Sequence, residues 1–323
     1  MHLYDLIIVG AGPAGLSCAI AAKKEGLDVL LCDKGNVVDS IIKFPTDMTF
    51  FSTADVLELA DIPFNSLNIR PKRSEVVKYY QSLVNHFKIP IQAHATVTNV
   101  IAERGKFSVI FDNGQKNKSL DAVHVVMATG FYDNPNVLGI PGENLPHVSH
   151  YYTEPYTFFK KNVIVVGGKN SAVETALDLY RHGAKVSLVH RRSQIQESVK
   201  YWILPDIENR IKEGSIKVYL NSQVHAISRE AVTIKTVDNF TELQADAVFL
   251  MTGYHPDIQL LKKCGVQCDP DSLEPKVNEQ TLESNVSGLF IAGSLLAGKN
   301  ANRIFIENSR EHGNQIITAI KNR

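Results

Sequence analysis

The chain has 323 residues, 44% apolar and 21% charged, which is the composition of a globular protein of about two domains and excludes disordered, collagen-like and disulfide-stapled classes. Its 34 Lys and Arg balance 34 Asp and Glu, so no global basic field exists to hold nucleic acid or an anionic membrane. Apolar runs such as Val163 to Val166 and Ala247 to Met251 are too short for a membrane span, the start of the chain lacks a signal-peptide pattern, and Cys18, Cys32, Cys264 and Cys268 make no secreted disulfide framework, so a cytoplasmic protein with reduced thiols is expected.

Leu6-Ile7-Ile8-Val9 reads as a short buried strand, and Gly10-Ala11-Gly12-Pro13-Ala14-Gly15 follows it. An amphipathic helix is predicted from Leu16 to Glu25, stopped by Gly26, then a second strand from Asp28 to Cys32 that ends at Asp33. Strand, glycine turn, helix and strand in this order form a dinucleotide site. Gly10 permits the tight turn, Gly12 lets a pyrophosphate reach the backbone, and Gly15 lets helix and strand pack closely. The first turn of the helix, around Pro13 and Ala14, turns its free amides toward the diphosphate. Asp33, 18 residues after Gly15, is placed to accept from ribose hydroxyls, with Lys34 beside it and Val97 a further candidate contact. Phe50-Phe51 reads either as ligand contact or as core. Lys116-Asn117-Lys118 reads as a solvated turn, and Val123 to Met127 as a buried strand. After it, Ala128-Thr129-Gly130 is small enough to pass beside a bound dinucleotide.

The pattern then repeats at an offset of 157 residues. Val163 to Val166 is the strand, Gly167-Gly168-Lys169-Asn170-Ser171-Ala172 the turn, Ala172 to Arg181 the helix, Gly183 its stop, and Lys185 to Val189 the second strand. Lys169 occupies the place of the second glycine. Either the phosphates sit displaced, or the lysine points outward and only its backbone matters. Where an acid would select NAD, this copy has His190-Arg191-Arg192, and two guanidiniums suit a 2′-phosphate. The first site therefore selects an unphosphorylated ribose and the second NADPH.

Ala247 to Met251 reads as another strand, followed by Thr252-Gly253, and Gly288 to Ser294 as a strand stopped at Gly293-Ser294. Gly253, Gly293 and Ser294 join the candidate cofactor contacts. A last helix is predicted from about Asn302 to Phe305 through Ile320. The fold class is α/β: two Rossmann-like dinucleotide-binding domains, an FAD domain of residues 1–131 and 254–323 with an NADPH domain of residues 132–253 inserted.

The segments Pro45-Thr46-Asp47-Met48-Thr49-Phe50-Phe51-Ser52, Val166-Gly167-Gly168-Lys169-Asn170-Ser171-Ala172, Trp202-Ile203-Leu204-Pro205 and Asn302-Arg303-Ile304-Phe305-Ile306-Glu307-Asn308 resemble the YpdA-type bacillithiol disulfide reductase family. That family lies within the low-molecular-weight thioredoxin-reductase-like flavoproteins. The resemblance implies FAD in the outer domain, NADPH in the inserted one, rotation between the domains, and a homodimer or larger assembly. It also implies that NADPH gives a hydride to the flavin, nicotinamide against isoalloxazine, and that the last helix, from about Ala301-Asn302-Arg303, points its start at the flavin pyrimidine edge.

The chain departs from its relatives at three places. Thioredoxin reductases carry a Cys-x-x-Cys pair where His150 to Pro155 stand here without cysteine. The YpdA-type family has Gly-Pro-Cys-Gly where this chain has Gly12-Pro13-Ala14-Gly15, so Ala14 removes a thiol that a helix start would activate. Ser294 stands where related reductases have Asp. Cys264 and Cys268 read as structural thiols, Cys18 and Cys32 as core. Tyr151-Tyr152 reads as ligand contact or core, and His312 as a helix-surface histidine or a proton donor. No metal-ligand spacing occurs, and no catalytic side chain is assigned. The expected activity is an NADPH-dependent FAD oxidoreductase whose acceptor is a low-molecular-weight disulfide or a small redox protein. The alternatives are a ferredoxin or flavodoxin reductase and a non-enzymatic flavin sensor. A flavin monooxygenase lacks its Phe-x-Gly-x-x-x-His fingerprint here.

Overall fold

The computed structural model describes residues 2–112, 117–195, 198–300 and 303–323. Lys116, Ala301 and Asn302, singled out above, lie outside them. The chain divides into two compact units: residues 1–43, 48–134 and 254–323, and residues 44–47 and 135–253.

The first unit opens with β1 (Leu3–Val9), α1 (Pro13–Lys24) and β2 (Val29–Cys32). Pro13 takes the first helical position, where a missing N–H costs nothing and its fixed φ suits the helix. Gly26 ends α1 at φ +76°, its amide donating to the Lys23 carbonyl while Leu27 reaches back to Ala22. The helix is not amphipathic as expected: Ala14 through Ala22 are all buried, because the sheet covers one side and the C-terminal helix the other. After the short α2 (Asp39–Ile42) come α3 (Arg73–His86), β3 (Ile91–Gln92) and the meander β4 (Thr96–Glu103), β5 (Lys106–Asp112) and β6 (Asn117–Met127). Asn117 and Lys118 lie in β6, opposite Asp112 and Phe111, and not in a turn; the antiparallel pairing carries the strand further back than the charge pattern suggests.

The second unit carries β7 (Val148–Ser149), β8 (Asn162–Val166), α4 (Asn170–Arg181), β9 (Lys185–Val189), α5 (Leu204–Lys212) and β10 (Lys217–Tyr219). β11 (Gln223–Ile227), β12 (Ala231–Lys235) and β13 (Phe240–Gln244) form a separate antiparallel sheet, and β14 (Ala247–Leu250) returns to the main one. That sheet is parallel, in the order β10-β9-β8-β14-β7. Shifted by 157 residues, α1 falls on α4 at both ends, and Gly183 repeats Gly26: φ is +83°, with its amide on Tyr180 and that of Ala184 on Leu179.

The chain then re-enters the first unit through α6 (Ile258–Lys263), β15 (Leu289–Ile291), α7 (Ile306–Ser309) and α8 (His312–Lys321). The sheet there runs β3-β2-β1-β6-β5-β4, and β15 lies parallel to the end of β6, Val125 to Met127. The last helix starts at Ile306 with Phe305 as its N-cap, at the end of the expected Asn302 to Phe305 range, and breaks before His312. Ser17 Oγ of α1 donates to the Arg310 carbonyl and withdraws it from the helical ladder. No helix among the described residues is long and apolar enough to cross a membrane.

Candidate functional site

In the first unit the glycine loop is shaped by close approach. Gly10 has φ +110°, and a Cβ on it would stand 2.3 Å from the Ala128 carbonyl oxygen. A Cβ on Gly15 would stand 1.9 Å from the Gly10 oxygen, so helix and loop touch through glycine alone. Over Gly12 there is open space: no described atom lies within 4 Å of where its Cβ would be. Gly12 is the N-cap of α1 with no side chain capping it, and the first turn contains no acid. Unclaimed amides beside open space fit a diphosphate.

Asp33 closes the cradle. Its Oδ2 accepts from the Ala11 amide at 2.6 Å and its Oδ1 from Gly35 at 2.7 Å. Burial raises the carboxyl above its ordinary value, and the two amides oppose that shift. Each oxygen keeps a lone pair for a ribose hydroxyl, so this corner fits the adenosine diphosphate half of FAD. Lys34 is turned to Asp133, with Nζ 3.0 Å from its carboxylate. The Ala95 amide donates to the Asp33 carbonyl at 2.8 Å and ties the start of β4 to the end of β2; Val97, two residues on, is buried opposite Phe111. Thr129 and Gly130 leave β6, and Ser294 Oγ lies 3.8 Å from where a Gly130 Cβ would stand. A Cβ on Gly293 would stand 2.7 Å from that of Ala14. Segments 10–15, 128–130 and 293–294 thus converge.

The second unit builds a related cradle with different walls. Gly167 has φ +145°, and a Cβ there would meet the Met251 oxygen at 2.6 Å and the Ala172 Cβ at 2.8 Å. Gly168 must be glycine because the His190 ring lies over it, 2.3–2.5 Å from a notional Cβ. Lys169 caps α4 in extended backbone, φ −113°, with its side chain exposed, which favours the outward-pointing alternative. Ser171 is exposed and Ala172 buried. Asn170 Oδ1 accepts from the Lys200 amide at 2.7 Å, and Lys200 Nζ pairs with Glu174, so the stretch before Trp202 is tied to α4. Buried His190 ends β9; burial, then Arg192 and Arg191, hold its ring below the ordinary histidine value. Its Nε2 is a buried atom without a partner among the described residues. Arg191 and Arg192 are exposed beside it, so the set fits an anionic 2′-phosphate. Gly253, φ +90°, lies three residues beyond the end of β14, and its carbonyl accepts from the Asn136 amide.

Other candidates fall away from these cradles. Tyr152 is core, edge-on to Phe249 at 5.2 Å with its hydroxyl on Asp178. Phe50 is buried and Phe51 exposed. Burial pushes Cys18 and Cys32 up to about 12 and Cys264 to about 11, and Cys268 is raised as well. His312 is not a surface histidine: its Nδ1 accepts from the Gly293 amide at 3.0 Å. Sequence spacing offered no signal for that bond or for the Lys200–Glu174 pair. Among the described residues no cluster of His, Cys, Asp and Glu is arranged for a metal.

Residues 7–293 match the family model described as pyridine nucleotide-disulphide oxidoreductase. The bacilliredoxin reductase Bdr of Bacillus subtilis is 42% identical over 318 residues, covering 98% of this chain and 97% of that protein. The solved bacillithiol disulfide reductase Bdr (YpdA) of Bacillus cereus is 38% identical with a TM-score of 0.97, covering 100% of both chains. The solved bacillithiol disulfide reductase Bdr (YpdA) of Staphylococcus aureus is 36% identical with a TM-score of 0.94, covering 99% of this chain and 98% of that one.

Proposed function

The chain belongs to the pyridine nucleotide-disulphide oxidoreductase family, and from that premise we propose that it reduces a small disulfide, bacillithiol disulfide, with NADPH as electron source and FAD as carrier. When bound, NADPH supplies a hydride and FAD takes it and hands two electrons on; with two protons they convert one disulfide into two thiols.

The observation that carries this reading is the pair of cradles with opposite end-groups in one chain. Gly10, Gly12 and Gly15 bring the backbone to a diphosphate, and Asp33 accepts from the ribose of FAD. Pro13 and Ala14 begin the helix behind it, Lys34, Val97, Ala128, Thr129 and Gly130 border the site, and Gly293 and Ser294 complete it. Gly167, Gly168, Lys169, Asn170, Ser171 and Ala172 take the NADPH diphosphate through backbone amides. His190, Arg191 and Arg192 hold its 2′-phosphate, with Gly253 beyond the end of β14. Because Ala14 carries no sulfur and the four cysteines stay protonated at neutral pH, the disulfide meets no thiolate from this chain. The protein works in the cytoplasm as a homodimer or larger homo-oligomer, apart from membranes and nucleic acid.

Stopped-flow reoxidation of the NADPH-reduced protein by bacillithiol disulfide, a ferredoxin, a quinone and oxygen tests the acceptor. Bacillithiol disulfide is expected to be fastest. A faster ferredoxin would replace the disulfide with an electron-transfer partner.

A further inference from the structure

We propose that His312 is a positioning residue for FAD: by accepting the Gly293 amide it fixes the turn that carries Ser294 into the first cradle.

β15 pairs with β6 only as far as Ile291 and Met127, and the Ala292 amide still finds the Met127 carbonyl. At Gly293 the chain leaves the sheet at φ +72°, buried against Ala14, and its amide has no strand opposite. The imidazole supplies the acceptor, 3.0 Å away. A buried amide left without one is costly, so the turn would re-orient to find another. Ser294 follows directly and stands next to Gly130, so a change at Gly293 moves the serine at the cradle.

The helix carrying His312 is held by other contacts. A Cβ on Gly313 would collide with Ser17 backbone at 2.4 Å, which shows how closely α8 rests on α1, and Ser17 Oγ donates to the Arg310 carbonyl. Arg310 Nη1 also donates to the Asp55 carbonyl at 3.1 Å. Removing the imidazole therefore releases the Gly293 turn and leaves α8 docked. With Nδ1 as acceptor, the ring proton sits on Nε2, and burial keeps the ring neutral at physiological pH by pushing its value down to about 4.

The proposal rests on the reading of the first cradle as the FAD site, and the test separates the two. Flavin-free wild type, H312F, H312N and H312Q are titrated with FAD, reading flavin fluorescence, the absorption spectrum of the bound flavin and the melting temperature of each flavin-free form. Asn Oδ1 can stand where Nδ1 stood, whereas Gln places its amide further out. H312N is expected to bind within about threefold of wild type, and H312F and H312Q roughly tenfold more weakly, the effect of one lost hydrogen bond. Similar flavin-free melting temperatures would accompany that result. Equal binding by H312F and wild type, or equal losses in H312N and H312Q, would overturn the proposal. If H312F does not fold, the comparison of H312N with H312Q decides alone. A wild type that takes up no FAD would overturn the cradle reading and this proposal with it.

Discussion

Asp33 and the Arg191–Arg192 pair stand at equivalent ends of two repeats and carry opposite charge. On the proposed reading, replacing both arginines by alanine is expected to raise the KM for NADPH roughly tenfold or more and to leave that for NADH nearly unchanged, because a 2′-phosphate is the group each guanidinium would bond. Steady-state kinetics with both nucleotides checks it, and an unaltered NADPH KM removes the phosphate assignment. Treatment with iodoacetamide at neutral pH is expected to leave turnover intact, since thiols pushed to about 12 and 11 offer almost no thiolate. Rapid inactivation would show a functional cysteine. His312 gives a pH signature. Its charged chain neighbours are Arg310 and Glu311, but burial alone lowers it from 6.5 to about 4. The fold prefers the neutral ring, so its contribution to stability is complete above 6.5 and drains away as the pH falls from there to about 4. Urea midpoints are expected to drop through that window more steeply in wild type than in H312N, and parallel curves would refute it. The places of Asp33 and the arginines just past the ends of β2 and β9 were legible in the sequence because they sit at a fixed distance from a glycine turn. The His312 bond was not, because its partner Gly293 lies 19 positions away with no period linking the two.

At the scale of elements, the two strand–turn–helix–strand copies were readable because strand runs and glycine stops recur at one spacing. Their glycines are not equivalent in cost. Gly10→Ala forces a side chain at φ +110° into the Ala128 carbonyl, whereas Gly26→Ala meets only an unfavourable φ, since no described atom lies within 4 Å of the new Cβ. Gly26→Ala is expected to cost about 1 kcal/mol and Gly10→Ala several times that, with loss of FAD. Urea unfolding of both variants checks the order, and a smaller loss at Gly10 would contradict the tight turn. The amphipathic reading of α1 failed for a physical reason. Alanines, a serine and a cysteine cover both sides of a helix packed between two layers, and such small residues carry no strong facial pattern. The interruption of the last helix was also hidden, since the hydroxyl that takes the Arg310 carbonyl comes from a helix 293 positions away in the chain.

Across the whole molecule, the α/β class followed from alternating strands and helices, whereas the separate three-stranded sheet of β11, β12 and β13 was not foreseen. Its short strands, joined by turns, lack the glycine signature that announced the nucleotide folds. Ligands should stabilise the units that hold them. FAD is expected to raise the melting temperature of the flavin-free protein in a concentration-dependent way, and NADP⁺ to raise it further, as mass action requires of anything that binds only the folded form. Calorimetry with each nucleotide checks this, and a transition indifferent to FAD would deny the first cradle its ligand.

The position of β15 has a consequence for how the chain is made. Val125 to Met127 of β6 receive that neighbour only when residues 289–291 arrive, more than half the polypeptide later. As the ribosome delivers the chain, the middle segment has all of its own strands well before the outer sheet has its last one. A stop codon before Leu289 would therefore release a product with an open flank beside β6, a seam for clumping with its own kind and a target for quality-control proteases.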